Sequence, residues 1–190
     1  MFNHFDFIAP LYDRIVRIPV SPRLCELLKL PTDGILLDAG GGTGRVSARL
    51  RSVVDQLIVC DFSFPMLQQA QARNGLYVVL AKAETLPFAD DTFDRVLVVD
   101  ALHHFFDQQA AIRDLMRVLK PGGRLVIEEP DRECWMIRLL VVAEKIAFMR
   151  SRIHTMKEIL DMVASIGASA RIERGNSFTS WVVADKKNQD

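Results

Sequence analysis

Several short stretches of this sequence combine residue types and spacings suited to chemistry. The apolar run Leu36-Leu37-Asp38 passes through Ala39 into Gly40-Gly41-Gly42-Thr43-Gly44, and Asp61 ends the next apolar run, Leu57-Ile58-Val59-Cys60. Glycine has no Cβ, so such a turn lets the main chain approach a ligand closely. In open parallel sheets the crevice beyond the carboxyl ends of the strands is where ligands bind. Asp38 and Asp61 would bring carboxylates to that edge, and His103-His104 follow the fourth strand there. Imidazole titrates near neutral pH, which makes His103 and His104 the leading candidates for a general base. The structural alternative is that one of these adjacent histidines packs or caps a helix. Tyr12 and Asp131 are weaker candidates for the same task, and His4 and His154 read as surface or helix-start residues.

The spacing of the glycines separates three ligand classes. A phosphate-binding P-loop requires Lys followed by Ser or Thr after its last glycine, whereas Arg45-Val46 stands here. The dinucleotide pattern G-x-G-x-x-G also fails, because its third glycine falls on Arg45 when counted from Gly40 and on Ser47 when counted from Gly42. Asp61, in contrast, stands where such folds place the acid that binds ribose hydroxyls. A ribose-bearing ligand without phosphates satisfies all three observations, and S-adenosylmethionine is such a ligand. Its carboxylate is expected at the amides of Gly40, Gly41 and Gly42, with Asp38 supporting the amine side of its tail directly, through water or through the loop backbone. Taken alone, the loop also reads as a tight strand-to-helix turn.

The elements that would position these residues alternate between short apolar runs and helical patterns, the signature of βαβ units in a mostly parallel sheet. Residues 34–38, 57–61, 77–80, 96–99 and 125–127 read as strands buried on both faces, since they have no polar side. Ser63 and Pro65 start one helix. Another carries Ile112, Leu115, Met116 and Leu119 at i, i+3, i+4 and i+7 and stops at Lys120-Pro121-Gly122-Gly123. Thr155 and Glu158 form a capping box that opens a helix ending near Gly167. Residues 170–173 and 178–184, linked by Arg174-Gly175-Asn176-Ser177, read as an antiparallel hairpin. Residues 135–149 are apolar apart chiefly from Arg138, Glu144 and Lys145. Such a helix suits the core, a lipophilic pocket, a dimer contact or a membrane surface.

Composition narrows the classes further. The 190 residues carry 24 basic and 24 acidic side chains, so no net charge draws the chain to nucleic acid. The 3 cysteines lack paired spacing, and no metal site is expected. No run reaches the ~18 apolar residues of a membrane span, and the start lacks the pattern of a secretion signal. A single cytoplasmic domain is expected, monomeric or homodimeric, with peripheral membrane contact left open.

With these residues in view, the chain resembles the class I S-adenosylmethionine-dependent methyltransferases, in particular the branch of the ubiquinone and menaquinone biosynthesis C-methyltransferases. Phe5-Asp6-Phe7-Ile8-Ala9-Pro10-Leu11-Tyr12-Asp13 is similar to the family's amino-terminal lid, and Leu37-Asp38-Ala39-Gly40-Gly41-Gly42-Thr43-Gly44 to its first motif. Asp61-Phe62-Ser63-Phe64-Pro65-Met66-Leu67, Ala83-Glu84-Thr85-Leu86-Pro87-Phe88, Phe93-Asp94, Asp100-Ala101-Leu102-His103-His104 and Arg117-Val118-Leu119-Lys120-Pro121-Gly122-Gly123 resemble later elements in order.

The resemblance implies a Rossmann-like α/β fold with seven strands in the order 3-2-1-4-5-7-6, strand seven antiparallel. It implies that Asp61 binds ribose, that Phe62 and Met66 flank the adenine, and that Ala83, Glu84 and Asp100 line the cofactor site. Residues 1–30 would form a lid or helical segment, and residues 131–153 a helical cover on the acceptor side. The implied reaction is an in-line transfer of a methyl group to a small apolar or aromatic, quinol-like acceptor. The alternatives are a non-catalytic S-adenosylmethionine-binding subunit and a nucleotide-dependent oxidoreductase. One departure stands out: Lys82 occupies a position where many relatives have Asp, and an ammonium cannot accept a hydrogen bond from the adenine amine.

Overall fold

The computed structural model describes residues 22–130, 154–175 and 179–188. Its elements are α1 (Pro22–Leu28), β1 (Thr32–Ala39), α2 (Ser47–Leu50), β2 (Val54–Asp61), α3 (Phe64–Gln71), β3 (Tyr77–Leu80), β4 (Phe93–Val99), α4 (Gln108–Val118), β5 (Leu119–Pro130), α5 (Met156–Ala164), β6 (Ser169–Arg174) and β7 (Thr179–Asp185). The strands form one seven-stranded sheet in the order β3-β2-β1-β4-β5-β7-β6. Strands β1 to β5 pair in parallel, and β7 runs antiparallel to both β5 and β6. The expected α/β fold and strand order are therefore observed.

The uninterrupted apolar runs follow from burial on both faces of the sheet. Leu37, Val96, Leu125 and Val182 belong to one buried cluster, together with Ile112 and Leu115 of α4 and Ile159 of α5. Their chain neighbours Leu36, Leu97, Val126 and Val183 belong to the other, with Leu24 and Leu28 of α1. Successive strand residues point to opposite faces, so a strand between two helical layers leaves no polar position. Thr155 caps α5 as its spacing predicts: its hydroxyl accepts the Glu158 amide at 3.2 Å, and the Glu158 carboxylate accepts the Thr155 amide at 2.7 Å.

Two local readings change. Strand β5 begins at Leu119, which pairs with Phe93, and the next pairing joins Arg95 to Arg124. Lys120-Pro121-Gly122-Gly123 thus loops out within the ladder instead of lying outside it. The helix after the glycine turn is a single turn, Ser47–Leu50, starting beyond Gly44. A helix this short contributes little dipole, so any anion-binding capacity there rests on the turn itself. The lid motif of residues 5–13, with Tyr12, and the segment 131–153, with Asp131, lie outside the described residues.

Candidate active site

Strands β1, β2, β4 and β5 deliver the candidate residues to one edge of the sheet. Asp38 is the penultimate residue of β1 and is 1% exposed. Its Oδ2 accepts the Ser47 hydroxyl at 2.6 Å. Burial pushes its pKa up to about 6, the nearby Asp61 charge adds to the rise, and Arg45 opposes it. Asp38 also backs the turn, since a Cβ on Gly41 would meet its Cγ at 2.8 Å.

The glycine turn spends its amides internally. Gly40 and Gly41 both donate to the carbonyl of Cys60, at 2.7 and 3.2 Å, and Gly44 donates to the carbonyl of Gly41 at 2.9 Å. The Gly42 amide goes to Asp61 Oδ2 at 2.9 Å. The expectation that these amides receive a ligand carboxylate therefore needs revision, because each already has a protein acceptor. Their work is to clamp the end of β1 to the end of β2. Gly40 (φ +72°) is pressed against Ala101 and Phe105, whereas a Cβ on Gly42 (φ +54°) would meet nothing closer than Asp61 Oδ2 at 4.0 Å. The tip of the turn consequently opens onto free space beside Asp61.

Asp61 is half-buried and accepts the Ser63 amide at 2.8 Å as well as the Gly42 amide. A carboxylate offers about four lone-pair sites and so can accept from several donors at once. Phe62 exposes 47% of its surface beside it, while Met66 is buried at 3%. Ala83 is buried, and Glu84 turns toward the loop after β4, accepting the amides of Phe106 at 2.7 Å and Asp107 at 3.2 Å. Glu84 therefore ties the segment after β3 to the segment that bears the histidines. Lys82 is exposed.

Asp100 adopts a left-handed φ of +51° directly after β4, uncommon for a residue other than glycine. His103 and His104 follow in a short 3-10 turn, Leu102–His104, with ring centroids 3.9 Å apart. His103 is 5% exposed, and its Nδ1 lies 2.5 Å from Glu129 Oε2. Glu129 is 2% exposed and accepts the amides of Ala101 at 3.1 Å and Leu102 at 2.8 Å through Oε1. Sequence reasoning missed Glu129. The available signal was Glu128-Glu129 at the end of an apolar strand: neighbours in a strand face opposite ways, so one acid must enter each layer. Glu128 faces Trp181, whose indole N–H donates to it at 2.6 Å.

These features fit the proposed cofactor on structural grounds. An open cradle at Gly42, a half-buried carboxylate beside it at Asp61 and an exposed ring at Phe62 suit an uncharged nucleoside. The acidic side chains of Asp38, Asp61 and Asp100 suit a cationic sulfonium and ammonium better than a polyphosphate.

Residues 37–127 match the family described as a methyltransferase domain. The chain carries a methyltransferase domain. It is 36% identical over 138 residues to a demethylmenaquinone methyltransferase of Thermobifida fusca, covering 66% of this chain and 58% of that protein. It is 35% identical over 146 residues to a ubiquinone/menaquinone biosynthesis C-methyltransferase of Edwardsiella ictaluri, covering 72% and 56%. The chain thus spans under three-fifths of the length of these curated relatives. The fold of a Thermotoga maritima S-adenosylmethionine-dependent methyltransferase superimposes with a TM-score of 0.82 at 24% identity, covering 98% of this chain and 100% of that one. Among the described residues, no helix is long and apolar enough to cross a membrane.

Proposed function

We propose that the chain transfers a methyl group from S-adenosylmethionine to a small, apolar or aromatic acceptor of quinol-like character, in the cytoplasm, as a single domain. The observation that carries this reading is the Gly42–Asp61 clamp, which sets the Asp61 carboxylate beside the open space in front of Gly42, between the ends of β1 and β2. The demethylmenaquinone and ubiquinone/menaquinone names of the relatives support the acceptor class.

Asp61 would hold the ribose, Phe62 and Met66 would flank the adenine, and Ala83 and Glu84 would border it. Asp38, Gly40, Gly41, Gly42 and Asp100 would shape the amino acid and sulfonium end. When bound, S-adenosylmethionine supplies an electrophilic methyl group and a neutral thioether leaving group. The chain's own contribution is to hold an acceptor atom in line with that methyl group and to exclude water. A phenolic acceptor becomes a stronger nucleophile on losing its hydroxyl proton, and His103, His104 or Tyr12 would receive it.

The test is incubation of the purified chain with methyl-labelled S-adenosylmethionine and a reduced naphthoquinol bearing a short isoprenoid tail. Label in the quinol fraction, with S-adenosylhomocysteine formed in equal amount, is the expected result. Tight S-adenosylmethionine binding without label transfer to this or other phenolic acceptors overturns the reading in favour of a non-catalytic binding subunit.

A further inference from the structure

Glu128 stands in one row with the acid at the end of β2. Asp38 pairs with Val59 of β2 and with Leu97 of β4, and Leu97 pairs in turn with Val126 of β5. Two residues further along these parallel strands come Asp61, Val99 and Glu128, at one level of the carboxyl edge. Residues two apart on a strand share a face, so Asp61 and Glu128 project on the same face as Asp38. Val59, Leu97, Val126 and Trp181 agree, since all four pack in the layer of α1. Three inter-strand spacings, about 14 Å, separate Asp61 from Glu128. Glu129 projects on the opposite face, where it meets His103.

The carboxylate of Glu128 is half-buried, and its Oε2 accepts the indole N–H of Trp181 at 2.6 Å. Its Oε1 has no hydrogen-bond partner among the described residues. Burial pushes the Glu128 pKa up and Glu129 adds to the rise, while the indole and the charge of Arg45 oppose it. Arg45 acts on Asp38 as well, so the residue that follows the glycine turn is within electrostatic reach of both acids. A carboxylate of raised basicity, in the crevice where open parallel sheets bind ligands, suits proton transfer.

The geometry points to Glu128 as the residue that meets the methyl acceptor: its Oε1 accepts the hydrogen of the acceptor's hydroxyl group and takes that proton. This rests on the methyltransferase reading above, and it gives the proton a destination other than His103, His104 or Tyr12. In the step, the acceptor O–H bond breaks, its electron pair stays on oxygen and raises the nucleophilicity of the acceptor, and the proton passes to Oε1. The indole of Trp181 stays on Oε2, and the carboxylic acid returns the proton to solvent after turnover. Asp61 then holds the donor at one end of the row and Glu128 the acceptor at the other. The substrate class follows: phenols and hydroquinones, and not oxidised quinones, whose carbonyl oxygens have no hydrogen to give.

Glu128→Gln tests the assignment, because the amide oxygen can still accept the Trp181 indole while the base is lost. Turnover of the naphthoquinol should fall about 100-fold or more, with S-adenosylmethionine affinity within about threefold of the parent. The parent's kcat/KM should rise with pH along an acidic limb that the variant lacks, Arg45 and Glu129 being the charged groups that act on Glu128. A Glu128 that only braces Trp181 moves neither readout. The parent alone supplies a second measurement. With S-adenosylhomocysteine present and oxygen excluded, the naphthoquinol should bind about tenfold or more tightly than its dimethyl ether, in calorimetry, the difference expected for a hydrogen bond to a charged group.

Turnover in Glu128→Gln within about threefold of the parent overturns the proposal and leaves methyl transfer intact. Equal affinity of the parent for the naphthoquinol and its dimethyl ether also overturns it, and this needs no folded variant. Absence of methyl transfer in the parent defeats the functional reading instead. The binding comparison then decides alone: a preference for the hydroxyl form that shrinks in Glu128→Gln retains the contact, and an undiminished preference removes it.

Discussion

Asp61 accepts the amide of Gly42 at 2.9 Å, so the acid at the end of β2 holds open the tip of the turn that follows β1. Its other oxygen takes the Ser63 amide at 2.8 Å and sets the start of α3. A residue that both shapes the cradle and faces it should be felt strongly in binding.

Asp61→Ala is expected to weaken S-adenosylmethionine binding about tenfold or more, the loss of charge-assisted hydrogen bonds worth roughly 1.5–3 kcal/mol. Asp61→Asn retains one acceptor oxygen and should lose less. Titration calorimetry of the three proteins gives the order directly, and undiminished affinity in Asp61→Ala removes Asp61 from the ribose.

The buried Asp38 predicts a pH dependence of stability. Its folded pKa of about 6 exceeds the ordinary value of 3.8, first because of burial. The folded state therefore binds this proton more tightly than the unfolded chain does. Stability from this group is full below pH 3.8 and falls as pH rises through about 6, by an amount on the order of 3 kcal/mol. Asp38→Asn keeps an acceptor for the Ser47 hydroxyl and abolishes the titration. It should raise the urea midpoint at pH 8, have little effect at pH 4, and weaken S-adenosylmethionine binding. Parallel pH profiles for parent and variant would contradict the assignment.

Much of this architecture is legible in the sequence because its determinants are local. Burial on both faces leaves a continuous apolar signature, as at Leu36-Leu37 and Val96-Leu97, and a capping box lies within four consecutive residues, as at Thr155 and Glu158. The glycine turn and Asp61 could be recognised for the same reason. What escaped notice depends on contacts between distant segments. Glu129 meets His103 across 26 positions because β5 lies beside β4, and Glu84 meets Phe106 across 22. The fate of the glycine amides also required three dimensions, since the carbonyl of Cys60 comes from the neighbouring strand.

Gly40 and Gly42 share a left-handed backbone but differ in their surroundings, and this separates folding from binding. A Cβ on Gly40 would sit 2.7 Å from the Ala101 Cβ and 3.1 Å from the Phe105 ring. Gly40→Ala should therefore suffer both backbone strain and a clash, losing roughly 2–4 kcal/mol of stability in urea unfolding. Gly42→Ala adds strain alone, about 1–2 kcal/mol, but places a methyl group in the open mouth beside Asp61. Its larger effect should be on S-adenosylmethionine affinity. Equal losses of stability in the two variants would mean that the Gly40 contact with the loop after β4 relaxes freely.

Lys82 offers a gain-of-affinity test. It is exposed between the end of β3 and the buried Ala83, and its carbonyl accepts the Thr85 amide at 3.2 Å, so the backbone there is already fixed as a turn. A lysine ammonium and the adenine amine are both donors and cannot pair. Lys82→Asp supplies an acceptor without touching the Glu84 carboxylate that holds Phe106 and Asp107. If the adenine edge reaches this position, Lys82→Asp should tighten S-adenosylmethionine binding about three- to tenfold, as expected for one hydrogen bond to a charged group partly offset by solvent competition. Lys82→Ala distinguishes this gain from simple removal of a positive charge, which the sulfonium would also register. Tightening in Lys82→Asp alone places the adenine amine beside residue 82. Equal tightening in both variants assigns the effect to charge, and no change in either moves the adenine edge away from this turn, toward the backbone of Ala83.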